Sequence, residues 1–133
     1  MWQYRKVFSM MHDLLSDALS IIQNAENVGQ ETCNVPNSKL AKAVLEAVEK
    51  TGYIGQLKAS GREIAVSLVG KINTLKSIKP RFAVRKDEFE KYEKRYLPSP
   101  DIGAIIVSTP QGLMTHREAR EKGIGGRLLA FVY

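Results

Sequence analysis

The chain has a single cysteine, Cys33, in 133 residues. An internal disulfide is therefore excluded, and such sparse usage fits a reducing compartment. It has two histidines, His12 and His116. They stand far apart, and neither has a partner at metal-ligand spacing, so no metal site is expected. No apolar run approaches the roughly 20 residues that a membrane-spanning helix needs. Residues 1–10 are too short for a signal peptide and lack its apolar core. There is no internal repeat and no low-complexity linker. Cofactor signatures are missing as well. No Gly-x-x-x-x-Gly-Lys loop occurs, and Gly123-Ile124-Gly125-Gly126 lacks the Gly-x-Gly-x-x-Gly spacing. Ser108 is followed by Thr109-Pro110 rather than flanked by glycines, so it forms no nucleophile elbow. Neither an enzyme nor a cofactor-binding protein is indicated.

What is present is a surplus of positive charge. Twenty Lys and Arg stand against 14 Asp and Glu, a net charge of +6. That balance points toward a polyanionic partner, though many proteins share it. Hydrophobic content of 44% is enough for a core. The length suits one compact unit or two small lobes.

The first part of the chain alternates helix and strand signals. From Asp13, the residues Leu14, Ala18, Ile21 and Ala25 recur at helical spacing, with Leu15 and Ile22 widening the stripe. Gly29 ends the segment, and Thr32-Cys33-Asn34-Val35 reads as a short strand. Asn37 or Ser38 can cap a second helix, which buries Leu40, Val44, Ala47 and Val48 and stops at Gly52. Lys39 and Lys42 lie near the start of that helix, where bare amides and lysines together can hold a phosphate, or form an ordinary solvated face. A strand from Tyr53 toward Ser60, the turn Gly61-Arg62 and a return strand from Glu63 to Val69 make a hairpin.

The middle is the most basic region. Residues 87–96 read as an amphipathic helix with Phe89, Tyr92 and Tyr96 inward and a Glu90–Lys94 surface pair. Residues 76–86 carry Lys76, Lys79, Arg81, Arg85 and Lys86 and no acid. Phe82 lies among these positives, placed to stack on a base or ribose. The residues ahead of the first helix, 1–9, hold Trp2, Tyr4, Arg5, Lys6 and Phe8. They are either a basic-aromatic extension or the product of a start read too early, with Met10 or Met11 as initiator.

The densest signals fall in residues 103–127. Ala104-Ile105-Ile106-Val107 suits a buried strand. Ser108-Thr109-Pro110-Gln111-Gly112 reads as a turn. Thr115 stands three residues before Glu118, the spacing of a capping box, so a short helix starts there. His116 is then expected on the surface of that helix. Gly123 can end it, and a last strand runs from Leu128 to Val132. Two hydroxyls, Ser108 and Thr109, stand beside Gln111, Gly112, Gly125, Gly126 and Arg127. Hydroxyls and bare amides are good donors to phosphate and ribose oxygens. Ordinary turn glycines and caps would give the same spacing. A small-molecule enzyme with a phosphate-gripping turn, or a general RNA chaperone, remains as an alternative.

This stretch resembles the signature of the small-subunit ribosomal protein S-eight family. The matching residues are Gly103, Ile106-Val107, Ser108-Thr109, Gly112, Leu113-Met114 and Ala119-Arg120, followed by the Gly123–Gly126 close. Pro36-Asn37-Ser38-Lys39-Leu40 is a further family feature. Lys79-Pro80-Arg81-Phe82 and the charged run after it are similar to the archaeal branch. The resemblance covers the chain from about Met11 to Tyr133. Pro110 departs from the pattern, since most relatives have a third hydroxyl residue there.

The resemblance implies an α+β fold of two small lobes. Residues 1–70 would form an α-β-α-β-β lobe, with 1–10 as an extension. Residues 71–133 would form a mostly antiparallel β lobe with a short helix. It implies a structural constituent of the small ribosomal subunit in the cytoplasm. Its partners would be small-subunit ribosomal RNA, specifically a stem of the central domain, and neighbouring subunit proteins. Its own messenger RNA is a further partner by the same analogy. No cofactor and no membrane are implied. RNA contacts are expected at Lys39, Lys79, Arg81, Phe82, Ser108, Thr109, Gln111, Gly112, Gly125, Gly126 and Arg127. Replacing Ser108 and Thr109 together by Ala is expected to cost affinity and spare the fold.

Overall fold

A computed structural model describes residues 14–78, 81, 83–99 and 101–133. The residues 1–9, His12, Asp13, Lys79 and Phe82 discussed above lie outside that set. The chain folds as an antiparallel α+β structure. Helix α1 (Leu14–Asn27) leads to strand β1 (Thr32–Pro36), helix α2 (Lys39–Thr51), and the hairpin β2 (Ile54–Ser60) and β3 (Glu63–Leu68). These strands form a sheet in the order β1-β3-β2.

Local chemistry explains the helices. In α1 the buried residues are Leu15, Ala18, Leu19, Ile22 and Ala25. Ile21, expected on that stripe, is 37% exposed because its helical angle places it at the edge. For α2 the Ser38 hydroxyl accepts the Ala41 amide at 3.1 Å, satisfying one of the helix's orphan donors. Val69 falls beyond the end of β3 and is 48% exposed.

The second sheet contains β4 (Leu75–Ser77), β5 (Ala83–Val84), β6 (Ala104–Thr109), β7 (Gly112–Thr115) and β8 (Gly126–Val132). Its order is β4-β8-β6-β7, with β5 on the β4 side of β8. Helix α3 (Phe89–Tyr96) precedes β6, and helix α4 (His116–Lys122) follows β7. Strand β8 starts at Gly126, earlier than the Leu128 expected, because Gly126 and Arg127 are drawn into pairing with β5. Phe89 and Tyr92 of α3 face inward and are buried, and Tyr96 is half-buried. Lys94 Nζ lies 3.7 Å from Glu90 Oε1 on the exposed side of α3.

The core has two layers, one on each face of this sheet. Along β6, Ala104 and Ile106 join the layer under α1 and α2. Ile105 and Val107 join Phe89, Tyr92, Leu97 and Ala119 on the other face. Alternation of period two sends successive side chains to opposite faces, and both faces are covered. Burying each large aliphatic side chain stabilises the fold by about 1.5–3 kcal/mol. The first layer draws residues from both sides of position 70, from Leu15 to Val132.

Candidate RNA interface

The signature turn is a tight hairpin. Ser108 pairs with Leu113 and Thr109 with Gly112, leaving Pro110 and Gln111 as the loop. Gly112 has φ +116°, a conformation that a β-carbon disfavours. The Thr109 hydroxyl donates to the Gly112 carbonyl at 2.7 Å and accepts the Gln111 amide at 3.2 Å. Thr109 is 9% exposed. Its hydroxyl therefore closes the loop, a role its spacing in the sequence did not reveal. The Ser108 side chain is half-buried, and Gln111 and Gly112 are exposed.

Strand pairing builds a row across the sheet. Arg127 of β8 pairs with Ala83 of β5 on one side and with Ser108 of β6 on the other. Leu113 extends the row beyond Ser108. Residues directly opposite one another share a face, so Ala83, Arg127, Ser108 and Leu113 are aligned on one side of the sheet. Arg127, Arg81, Arg85 and Lys86 are all exposed. Ala83 and Val84 of the acid-free segment are thereby held one strand away from Ser108. Lys39 is the exposed first residue of α2 and joins none of these pairs.

Gly125 and Gly126 serve this row by their lack of a side chain. A β-carbon on Gly125 would collide with the Val84 carbonyl, and one on Gly126 with the Ser108 carbonyl. Both glycines are half-buried. They let β8 approach β5 and β6 closely, a packing role where open amides were expected.

A buried polar clamp lies behind the hairpin. His116 is fully buried, against the expectation of a surface position. Its Nδ1 accepts the Ile105 amide at 3.1 Å, which ties α4 to the start of β6. That acceptor role leaves the ring proton on Nε2. Nε2 lies 3.2 Å from Glu93 Oε1, close but not aligned for a hydrogen bond. Arg120 donates to the same Glu93 oxygen. Burial, with the positive charges of Arg117 and Arg120, lowers the His116 pKa to about 4, so the ring is neutral near pH 7. Two signals in the sequence pointed here. His116, the first residue after β7, keeps the parity of inward-facing Met114, and Glu93 sits one turn after buried Phe89.

A rigid hairpin beside exposed cations is the layout of a structural protein that binds a polyanion. Residues 13–133 match the family model for ribosomal protein S8, and the chain belongs to that family. It is accordingly an RNA-binding structural protein of the small ribosomal subunit. The family is a structural, non-enzymatic class whose partners are ribosomal RNA and other ribosomal proteins. Among the described residues no helix is long and apolar enough to cross a membrane.

Proposed function

We propose that this chain grips a stem of the central domain of small-subunit ribosomal RNA and supports assembly of the subunit in the cytoplasm. The supporting observation is the row Ala83–Arg127–Ser108, which seats a cation between the acid-free segment and the signature turn. The Ser108 hydroxyl and the exposed Gln111 and Gly112 reach ribose and phosphate oxygens in a wide, shallow minor groove. Arg127, Arg81 and the lysines neutralise phosphates. Lys39, Lys79 and Phe82 are assigned to the same contact. A messenger RNA carrying a similar stem would be held by the same surface.

The test is filter binding to the isolated stem, beside co-sedimentation with small subunits. Ser108→Ala with Arg127→Gln should weaken stem binding by about one decade or more. Parent-like affinity in that variant would reject this surface as the grip.

A further inference from the structure

The N-terminal part of the chain presents a surface with a different character. Residues 7–38 contain no Lys or Arg, in a chain that has 20 of them. The described part of this stretch holds Asp17, Glu26 and Glu31 and folds as α1, the following loop and β1. Two adjoining grooves open here and meet at Gln30. One, of about 690 Å³, is lined by Glu26, Glu31, Ser67, Val69 and Ile72, among others. The other, of about 310 Å³, runs past Ile21, Ala25, Val28 and Cys33.

Apolar side chains stand open along both. Val28 is 71% exposed, Val69 48% and Ile21 37%. Scattered apolar residues are ordinary on a surface, but these three border adjoining grooves. Among the described residues, the only charged ones lining the grooves are Glu26 and Glu31. One Glu26 oxygen accepts the Ile72 amide at 2.9 Å, so this carboxylate is held in place in the groove wall. An acidic rim repels phosphate and attracts ammonium and guanidinium groups, which selects against RNA as the occupant.

We propose that these grooves dock a Lys/Arg-rich segment of a neighbouring small-subunit protein, which sets an apolar side chain against Val28 and Val69. The proposal rests on the reading that the chain works within the ribosomal subunit. The protein would then have two opposed functions by charge. Its cationic row faces RNA, and its Glu-lined grooves receive protein.

The test uses small subunits assembled with the full chain carrying a photo-cross-linking p-benzoylphenylalanine in place of Val28. A second chain carries it in place of Gln111. From Val28 the expected product is a Lys/Arg-rich segment of another ribosomal protein. Glu31→Lys should lower that yield by about fivefold, since an exposed ion pair is worth up to about 1 kcal/mol. A cross-link from Val28 to RNA, none at all, or a protein product insensitive to Glu31→Lys overturns the docking proposal. From Gln111 the expected product is ribosomal RNA. If Gln111 fails to reach RNA while Val28 reaches protein, the RNA surface is wrong and the docking stands. A chain that does not enter the subunit overturns both.

Discussion

Lowering the pH from 7 to 5 should destabilise this protein through His116. The folded ring has a pKa of about 4, against an ordinary value of 6.5. The sign follows from proton counting. In the fold the ring stays neutral down to about pH 4, whereas the unfolded chain binds the proton below about 6.5. Falling pH therefore favours the unfolded state through this window, and the stability linked to the neutral ring is intact above it. At pH 5 the unfolded chain holds about one more proton than the fold, which corresponds to about 2 kcal/mol less stability than at pH 7. Ordinary carboxylates titrate below this range, at about 3.9–4.3, so the window isolates the histidine. The charged groups around the ring are Glu93, Arg117 and Arg120. Arg120 already engages the Glu93 oxygen nearest the ring, which limits the relief that Glu93 offers an imidazolium. The assay is urea unfolding at pH 7, 6 and 5 for the parent and for His116→Gln. Glutamine can still accept the Ile105 amide but does not titrate. The variant should start about 1–2 kcal/mol less stable and lose much less on acidification. Identical pH dependence in the two proteins would refute the buried, neutral histidine.

Four further outcomes separate grip from scaffold. Ser108→Ala should lower RNA affinity by about two- to tenfold, the value of one net hydrogen bond, and leave the thermal midpoint unchanged. Thr109→Val should act on the melt, because it removes both bonds that close the hairpin; unaltered stability would show the hydroxyl free after all. Gly126→Ala should destabilise by about 1–3 kcal/mol or more, since the added carbon meets backbone and not a flexible side chain. A neutral result in chemical denaturation would mean that β6 and β8 are less tightly paired than described. Arg127→Gln should reduce the slope of log affinity against log salt by about one phosphate contact. An unchanged slope would remove Arg127 from the phosphate contacts.

Legibility in the sequence follows the distance over which a residue finds its partner. The strand Ala104-Ile105-Ile106-Val107, the Thr115 cap bonded to the Glu118 amide and the Ser38 cap were readable because each signal is complete within a few residues. His116 was misread and Glu93 passed over because their partners lie 11 and 27 residues away, at Ile105 and Arg120. A histidine behind a cap and a glutamate in a charged helix look solvated until the sheet closes over them. Thr109 shows a different limit. Its partners are local, but a hydroxyl that closes a turn and one that awaits a ligand have the same spacing. The family signature marks the turn, yet the turn alone is only a hairpin. The row across the sheet forms when β8 inserts Arg127 between Ser108 and Ala83, and that insertion depends on Gly126 having no side chain. The glycines read as open amides are thus the residues that allow the strands to close, and the chemistry of the row falls to the side chains they bring together.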